Sequence, residues 1–409
     1  MEIYLVGGAV RDTLLSYPFS ERDWLVVGAS PEQMSALGFR AVGKDFPVFL
    51  HPDSHEEYAL ARTERKTAQG YKGFSVYCAP EVSIEEDLQR RDLTINAMAM
   101  HPDGRLIDPY GGKADLEQRL LRHVSPAFVE DPVRILRLAR FAARYAHLGF
   151  RIAPETSALM HTMVTSGEVD ALVAERVWAE LHKALLEKTP AAFFATLREC
   201  GALAKIFPEI DNLFGVPQPA QHHPEIDTGV HCLLVLEQAA LLSSNASVRF
   251  AALVHDLGKA VSPKDNLPHH HGHEKAGLPI LKKLCQRLRV PNHTVALANL
   301  VVEYHGHCHK AKELRPSTMV ELLGRLGAFK KDNNHLEDFL LACEADARGR
   351  TGFEQRVYPQ ADFVRQAARA ALSIDTAQVV ASELQGADIG QAITQLRINA
   401  VHAMKQAVL

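Results

Sequence analysis

The stretch IYLVGGAVRD, residues 3–12, decides how the first part of the chain is interpreted. A short apolar run ends in Gly7 and Gly8, and AVRD follows. Glycine lets a backbone approach phosphate closely, and the amides at a helix start bind phosphate oxygens. Arg11 adds a guanidinium whose fork of donors suits phosphate. The stretch predicts a strand, a turn and a helix facing a phosphate-bearing ligand, although a Gly-Gly turn alone more often marks a plain connection.

A pair of carboxylates follows about ten residues later. Glu21 and Asp23 flank Arg22 just before the apolar run WLVV. Alternate residues of an extended chain point the same way, so both carboxylates aim at one point. Such a pair suits Mg²⁺ held together with substrate phosphates. A lone pair of this kind is more often a solvated strand end, but its position after GGAVRD favours the metal interpretation.

Two arginine-containing blocks come next. RRDLTINA, residues 90–97, places Arg90 and Arg91 beside Asp92. EDPVRILRLARFAAR, residues 130–144, has the spacing of an amphipathic helix with proline in its first turn. At about 100° per residue, its arginines share roughly a third of the circumference and the apolar residues lie opposite. The helix is predicted to pack on one face and to present guanidinium groups on the other: Arg134, Arg137, Arg140 and Arg144.

The chain divides by pattern into four parts. Residues 1–125 alternate strand-like runs with turns, and residues 126–215 carry helical periodicity. Residues 227–349 form a second helical part, and residues 350–409 are helical and rich in Ala and Gln. LFGVPQPAQHHPEIDTG, which precedes the second helical part, has the composition of a linker. We expect an α+β fold, with a mixed sheet and helices first and all-α regions afterwards.

Composition limits the class of protein. The chain has 409 residues, 47% hydrophobic and 23% charged, as in ordinary globular proteins. It has no apolar run long enough for a transmembrane helix and no secretory signal pattern. Six cysteines without a CxxC pair fit free thiols in a reducing cytoplasm. The net charge of −4 means that any nucleic acid would have to be held by local basic surfaces.

Histidines provide the strongest compositional signal, because over half of the 21 fall between His222 and His309. The run VRFAALVHDLGK ends in His255-Asp256, with His231 before it and Asp346 after it. Histidine and carboxylate together suit transition metals. A lone His-Asp pair is more often structural, but the surrounding histidines favour a metal site.

A loop, HHHGHE at residues 269–274, lies between the His-Asp pair and the later histidines. We expect this loop to lie near the metal site with His273 facing inward. We expect His307, Cys308 and His309 to face solvent or to be incidental to the site.

The first four motifs together resemble class II tRNA nucleotidyltransferases, which belong to the polymerase beta superfamily. GGAVRD, the paired carboxylates, RRDLTINA and EDPVRILR occur in the family's order, and the resemblance covers residues 1 to about 215. It implies a polymerase-beta-like head in which Glu21 and Asp23 are catalytic and bind Mg²⁺. Glu21 departs from the Asp usual in the family, and Glu57 matches a further strand carboxylate.

The same resemblance implies nucleotide-binding roles for the glycine turn and the arginine blocks. Asp131 and Arg134 match a pair that reads the incoming base. The full implied nucleotide-binding set is Gly8, Arg11, Arg91, Asp131, Arg134, Arg137 and Arg140.

The family's chemistry agrees with these residue types. The tRNA 3′-hydroxyl attacks the α-phosphate of CTP or ATP, and two metals stabilise the attacking and leaving oxygens. A carboxylate accepts from the exocyclic amino group of C or A, while an arginine donates to ring acceptors. This logic excludes U and G without a nucleic-acid template.

The order His…His-Asp…Asp resembles the HD phosphohydrolase superfamily. The resemblance implies a site of His231, His255, Asp256 and Asp346 that holds a transition metal, Ni²⁺ first and otherwise Co²⁺ or Mn²⁺. Implied activities are 2′,3′-cyclic phosphodiesterase, 2′-nucleotidase and phosphatase. His273 and His305 match positions that bind extra ligands or substrate. Lys259 fits either a phosphate contact or a helix C-terminal charge.

The head–helical–HD order resembles the bacterial multifunctional CCA proteins. We therefore expect a cytoplasmic enzyme, monomeric or homodimeric and independent of membranes, that acts on tRNA with CTP and ATP. One alternative is a bacterial poly(A) polymerase, which shares the head motifs but tends to carry a basic tail. Another is an HD nucleotide phosphohydrolase with a tRNA-binding head, and a third is a head that only holds tRNA.

Overall fold

The computed structural model describes residues 1–42, 48–66, 74–330, 332, 335–377 and 385–408, which form two compact units. The first unit comprises Met1–Ala184 and Ala192–Ile206, and the second comprises Leu185–Ala191 and Phe207–Leu409. The first contains a mixed sheet and the second is built from helices, so the expected α+β fold is confirmed. None of the described helices is both long and apolar enough to cross a membrane.

The strands of the first unit belong to one large sheet and two small ones. Their bounds are β1 Glu2–Val6, β2 Asp23–Val27, β3 Arg40–Ala41, β4 Val48–Leu50, β5 Glu57–Leu60, β6 Thr63–Lys66, β7 Phe74–Tyr77, β8 Ala99–Met100, β9 Leu106–Ile107, β10 Leu120–Leu121 and β11 Arg151–Ile152. The large sheet has the order β3-β4-β5-β2-β1-β8-β9. Its β2–β5 pairing is parallel, and its other pairings are antiparallel.

The sheet follows from apolar runs that the sequence shows directly. IYLVGG, DWLVVG and EYALAR form β1, β2 and β5, as predicted, and FPVFLH contains β4, although its first two residues lie outside the described residues. Tyr4 and Val6 of β1 join Leu25 of β2 in one buried cluster. Val26 of β2 joins Leu60 of β5 in another cluster. Side chains from β1, β2 and β5 are thus buried in two clusters. Because β2 pairs with both β1 and β5, Asp23 at the start of β2 lies beside Val6 and Glu57.

Most helices of the first unit come after the last strand of the large sheet in sequence. They are α1 Gly8–Leu14, α2 Pro31–Ala36, α3 Ile84–Gln89, α4 Gly112–Gln118, α5 Val133–Tyr145, α6 Pro154–Thr165, α7 Ala174–Leu186, α8 Ala191–Glu199 and α9 Ala202–Ile206, the last residues of α7 and the first of α8 belonging to the second unit. The predicted amphipathic helix is α5, and Pro132 stands just before it. Ile135, Leu136 and Leu138 are fully buried along its apolar face.

The second unit is all-α in its regular structure. Its helices are α10 Pro208–Asp211, α11 Thr228–Leu242, α12 Ala246–Val254, α13 His273–Leu288, α14 Asn292–His309, α15 Pro316–Arg325, α16 Leu336–Arg348, α17 Pro359–Leu372 and α18 Ala387–Val408. α11, α12, α14 and α16 pack against one another, with His231 on α11 and His305 on α14. α15, α17 and α18 form a further packed group, and α17 begins at Pro359 after a non-helical stretch.

Candidate active sites

The first site lies at the end of the main sheet where β2 begins. Asp23 is the first residue of β2 and pairs in register with Val6 of β1 and with Glu57 of β5. Register partners in parallel strands point to the same face, so the Asp23 and Glu57 side chains share one side of the sheet. Glu21, Asp23 and Glu57 are exposed, so a ligand can reach them from solvent.

Electrostatics link this carboxylate to two other predicted site residues. Asp23 is exposed as a residue, but its carboxyl group is partly desolvated, which raises its pKa above the usual range, and the negative charge of Glu21 raises this pKa further. The Arg91 guanidinium acts in the opposite direction on the same pKa. Glu21 and Arg91 therefore both lie within electrostatic range of the Asp23 carboxylate. Two like charges beside one cation form an arrangement that a divalent cation would stabilise.

The glycine turn lies next to Arg91. Gly7 has a φ of +65°, which favours glycine, and a Cβ added there would lie 2.9 Å from Arg91 Nη1 and would displace that guanidinium. Gly8 begins α1. An ion pair with Asp87 holds the Arg91 side chain in place, with Arg91 Nη2 3.1 Å from Asp87 Oδ2. The structure thus brings the glycine turn, Arg91 and the carboxylates together.

Arg11 lies inside the fold. It is 4% exposed and forms a two-point ion pair with Asp12, at 2.8 Å for both Nε–Oδ1 and Nη2–Oδ2. Its guanidinium also lies over the rings of Phe141 and Tyr145 of α5, and the Tyr145 hydroxyl donates to Asp12 Oδ1 at 2.6 Å. Asp12 and Tyr145, which the sequence analysis did not single out, therefore fix α1 to α5. A phosphate contact from Arg11 stays a prediction.

The arginines of α5 do not form the open basic face that helical periodicity suggested. Arg134 is 9% exposed and donates to backbone carbonyl oxygens, including that of Ala127 at 3.0 Å. Arg137 Nε lies 2.7 Å from Asp92 Oδ2. The Arg137 guanidinium holds the pKa of Asp92 below its usual range even though burial acts to raise it. The prediction of an open basic face on α5 was therefore wrong. Carboxylate and carbonyl groups of the same unit contact the guanidinium groups instead.

Two further ion pairs connect α5 and its N-terminal approach with α7. Asp131 accepts from Arg176 through both oxygens, at 3.0 and 2.7 Å, and Arg140 Nε lies 2.7 Å from Glu180 Oε2. The Arg134 backbone amide donates to the Asp131 carbonyl at 3.0 Å, while the Asp131 carboxylate contacts Arg176 and the Arg134 guanidinium donates to the Ala127 carbonyl. Arg176 and Glu180 were missed, although their four-residue spacing on a helix is a signal that both face one neighbour.

The second site lies among the helices of the second unit. His231 is on α11, His255 directly follows α12, Asp256 follows it, and Asp346 is on α16. All four side chains are buried. His231 Nε2 lies 3.2 Å from Asp346 Oδ1, and His255 Nε2 lies 3.0 Å from Asp256 Oδ2. The four residues proposed from sequence are therefore brought into one cluster.

The histidine rings are oriented by their other nitrogens. His255 Nδ1 donates to the carbonyl of Ala252 at 2.8 Å, and His231 Nδ1 lies 3.0 Å from both the carbonyl of Gly349 and Glu225 Oε1. Such anchoring leaves each Nε2 free to face the carboxylates, as metal-binding histidines require.

A metal ion fits the chemistry of this donor set. Five buried atoms make no hydrogen bond of good geometry among the described residues, although ion-pair contacts reach several of them, namely His231 Nε2, His255 Nε2, Asp256 Oδ1, Asp256 Oδ2 and Asp346 Oδ1. Buried polar atoms without such bonds are costly, and a cation would satisfy His231, His255 and Asp346, whose ligand atoms lie within 4.8 Å of one another. Burial acts to raise the pKa of both carboxyls, but the charge of His255 together with a further neighbouring cation and histidine hydrogen bonds lowers both pKa values well below the usual range. Mixed imidazole and carboxylate donors suit a transition metal.

Three more histidines surround the same carboxylates. His273 and His305 place their Nε2 atoms 3.2 and 3.7 Å from Asp256 Oδ1, and His273 therefore faces inward as expected. Burial lowers the pKa of His305 to about 3, so this ring is neutral. His309 Nε2 lies 2.6 Å from Asp346 Oδ2. The expectation that His309 faces solvent or is incidental to the site was wrong, because one further turn of α14 brings it to the face that carries His305.

The neighbours of His309 differ in their exposure. His307 is exposed, as expected. Cys308 is fully buried, contrary to expectation, and accepts from the Tyr358 hydroxyl at 3.4 Å.

The stretch interpreted as a linker forms part of this site. Glu225 Oε1 contacts both His231 Nδ1 and His223 Nδ1, at 3.0 and 3.1 Å. Gln218 Oε1 accepts from Lys259 Nζ at 2.6 Å, and Lys259 Nζ lies 2.6 Å from Asp256 Oδ2. The polar residues of this stretch, which suggested a solvated connection, are instead its contacts with the cluster.

The fold and the two sites define a class of enzyme that joins a nucleotidyltransferase head to an HD-type metal centre. Family models agree: the poly A polymerase head domain matches residues 3–122, the probable RNA- and SrmB-binding site of polymerase A matches 149–214, and the HD domain matches 228–343. Curated relatives extend over the whole chain. The multifunctional CCA protein of Methylococcus capsulatus is 65% identical over 407 residues, covering 100% of this chain and 96% of its own length. That of Thioalkalivibrio sulfidiphilus is 62% identical over 405 residues, covering 99% of both.

This chain belongs to the multifunctional CCA protein family. Solved structures share its fold. The Bacillus stearothermophilus CCA-adding enzyme in complex with CTP is 23% identical with a TM-score of 0.65, covering 98% of this chain and 89% of that one. The Thermotoga maritima CCA-adding enzyme complexed with tRNA is 19% identical with a TM-score of 0.63, covering 100% of this chain and 92% of that one.

Proposed function

We propose that this chain adds C, C and A to the 3′ end of tRNA from CTP and ATP without a nucleic-acid template. The observation that carries the proposal is the grouping of Asp23, Glu57 and Arg91 around the Gly7–Gly8 turn. Membership of the multifunctional CCA protein family supports the same activity. The test is incubation with tRNA that lacks its 3′ CCA, in the presence of CTP and ATP.

Glu21 and Asp23 hold Mg²⁺ in this proposal, with Glu57 as a further acidic participant. Mg²⁺ supplies charge stabilisation to the attacking and leaving oxygens. A bond forms between the tRNA 3′-oxygen and the α-phosphorus. The bond between the α-phosphorus and the oxygen that bridges it to the β-phosphorus breaks, and pyrophosphate leaves. Arg91 and the backbone at Gly8 bind the phosphates. A glutamate at position 21 reaches one methylene further than an aspartate and still provides an oxygen ligand.

Asp131 and Arg134 select the base in this proposal, with Arg137 and Arg140 in the nucleotide-binding set and Arg11 contacting phosphate. A carboxylate accepts about four hydrogen bonds, so the ion pair with Arg176 orients Asp131 and leaves capacity for an amino group of C or A. U and G have no such amino group at the corresponding position.

We propose that the second unit is a metal-dependent phosphohydrolase. His231, His255, Asp256 and Asp346 hold the metal, with Ni²⁺ as the leading choice and Co²⁺ or Mn²⁺ as alternatives. The five buried atoms without a hydrogen bond of good geometry carry this proposal. The metal supplies an activated water by lowering its pKa. His273 and His305 hold extra ligands or substrate. The assay uses 2′,3′-cyclic nucleotides, 2′-nucleotides and phosphomonoesters with Ni²⁺, Co²⁺ or Mg²⁺.

The partners follow from these activities. tRNA is the macromolecular substrate, CTP and ATP are the nucleotides, and the cytoplasm is the compartment. No membrane takes part, and the chain acts as a monomer or homodimer. For tRNA, the head and the helical region to about residue 215 bind the 3′ end. We propose the four regions 1–125, 126–215, 227–349 and 350–409 as head, neck and body, HD domain and tail.

A further inference from the structure

The buried atoms that lack partners around the second site are of two kinds. The five described above belong to the metal-binding residues proposed for this site. Gln218 Nε2 and Arg350 Nε are also buried and have no hydrogen-bond partner within the described part of the chain, but both are obligate donors. A metal ion cannot satisfy an N–H group, so these two atoms require an acceptor.

Gln218 is built into the site. The residue is 2% exposed, and its backbone amide donates to the carbonyl of Ile226, which closes the loop on itself. Its Oε1 accepts from Lys259 Nζ at 2.6 Å, and this contact fixes the side-chain amide with Nε2 as the remaining donor group. A glutamine held by a lysine on one atom and unpartnered on the other is an unfinished hydrogen-bond arrangement.

Two cations border the metal-binding carboxylates. Lys259 Nζ lies 2.6 Å from Asp256 Oδ2, and Arg350 Nη2 lies 3.6 Å from Asp346 Oδ1. These two oxygens are also the ones nearest to His231 Nε2, at 3.8 and 3.2 Å. The lysine and the arginine therefore reach the same part of the cluster from two different elements. When a metal takes up the carboxylate charge, both cations need another anion.

We propose that Gln218, Lys259 and Arg350 form an anion subsite that binds the phosphoryl group of a phosphomonoester dianion. Two cations and an amide donor match the charge of a dianion and its oxygen acceptors. This inference deepens the proposed phosphohydrolase function and rests on it for the metal position. The subsite favours substrates with a terminal phosphate over a singly charged cyclic phosphodiester, because the diester leaves one of the two cations without a counter-charge. The stretch that resembled a linker thus supplies part of the substrate contact.

The test measures the binding of inorganic phosphate to the full-length chain loaded with Mn²⁺, by isothermal titration calorimetry. Gln218→Met and Arg350→Met keep the approximate volume and remove the donors. Gln221→Met and Arg356→Met are matched controls, because both wild-type residues are exposed and lie close by in sequence. Binding of Mn²⁺ alone and CMP incorporation into tRNA check that each variant is folded.

Each test variant is expected to weaken phosphate binding about tenfold or more, since a hydrogen bond to a charged group is worth about that much. The controls should bind phosphate like the parent, and Arg350→Lys should recover part of the loss. In hydrolysis assays, KM for a 2′-nucleotide should rise more than KM for a 2′,3′-cyclic nucleotide. Equal phosphate affinity in Q218M, R350M and the controls would overturn the subsite. If phosphate binds as expected but no ester is hydrolysed, the hydrolase proposal fails and the subsite stands.

Discussion

Asp131 and Arg176 form a two-point ion pair, with Nη1–Oδ1 at 3.0 Å and Nη2–Oδ2 at 2.7 Å. The pair joins the approach to α5 with α7, and the Arg140–Glu180 pair joins the same two helices further along. Because planar guanidinium and carboxylate groups match in geometry, such a pair fixes orientation as well as distance. The residue proposed to read the base is therefore held by an arginine that the motif does not contain.

Replacing Arg176 should loosen base selection. We expect Arg176→Met to lower kcat/KM for CTP and ATP by about 10- to 100-fold, the value of a lost charge-assisted interaction. Incorporation of UMP relative to CMP should rise, because the Asp131 carboxylate loses its fixed direction. The measurement is single-nucleotide addition to tRNA with each triphosphate, and Arg151→Met, at an exposed arginine, is the control. An unchanged ratio of UMP to CMP would show that Arg176 does not position Asp131.

The pH dependence of nucleotide addition should depend on Arg91. Metal binding requires the Asp23 carboxylate, and a raised pKa means that protonation removes it at a higher pH than for an ordinary aspartate. Arg91 lowers this pKa, so Arg91→Met should move the acidic limb of the rate profile to higher pH. Arg91→Lys keeps the charge and should move it less. Profiles of kcat/KM for CTP at fixed Mg²⁺ provide the measurement, and identical acidic limbs for the two variants would refute the coupling.

Metal should stabilise the second unit. An ion that binds only the folded state at 100 times its Kd contributes about 2.7 kcal/mol. For a unit of this size, that raises the unfolding midpoint by about 5–10 °C. We expect this rise when Mn²⁺ or Ni²⁺ is added to chelator-treated protein in a calorimetric scan. His255→Ala should abolish the rise, and His269→Ala, at an exposed histidine, should retain it. The metal assignment fails if both variants respond alike.

Glu225 should act on the metal through His231. Its Oε1 lies 3.0 Å from His231 Nδ1, and the hydrogen bonds from His223 and His231 hold its pKa well below the usual range in spite of burial. A carboxylate behind a metal-binding histidine fixes the ring, and its loss costs about 10- to 100-fold in affinity. Glu225→Gln should weaken Mn²⁺ binding by that factor, while Glu313→Gln, at an exposed site, should not. Equal Mn²⁺ affinities in the Glu225→Gln and Glu313→Gln variants would show that Glu225 does not act on the metal through His231.

Local pattern predicted much of the fold and part of both sites. Apolar runs gave β1, β2 and β5, and helical spacing gave α5, because burial on one face leaves a periodic signal. The motif His255-Asp256 marked the second site, because two metal-binding residue types adjoin at the end of a buried helix. These features depend on residues near one another in sequence.

The remaining contacts depend on residues far apart in sequence. Asp92 and Glu180 take up the α5 arginines only because loops and α7 fold back, so the helical wheel alone suggested an open basic face. Gln218 and Glu225 lie in a Pro-rich stretch whose composition is that of a linker. Their contacts with Lys259 and His231 arise from the fold of the loop, and composition does not encode them.

The most direct test of the central claim is nucleotide addition to a tRNA that ends before its CCA, resolved at single-nucleotide length. With CTP and ATP, the chain should add two C residues and one A residue and then stop, and with CTP alone it should stop after two. Asp23→Ala should add nothing while Asp53→Ala, at an exposed aspartate, adds the full sequence. A long run of A from ATP, or full CCA addition by a folded D23A variant, would contradict the account.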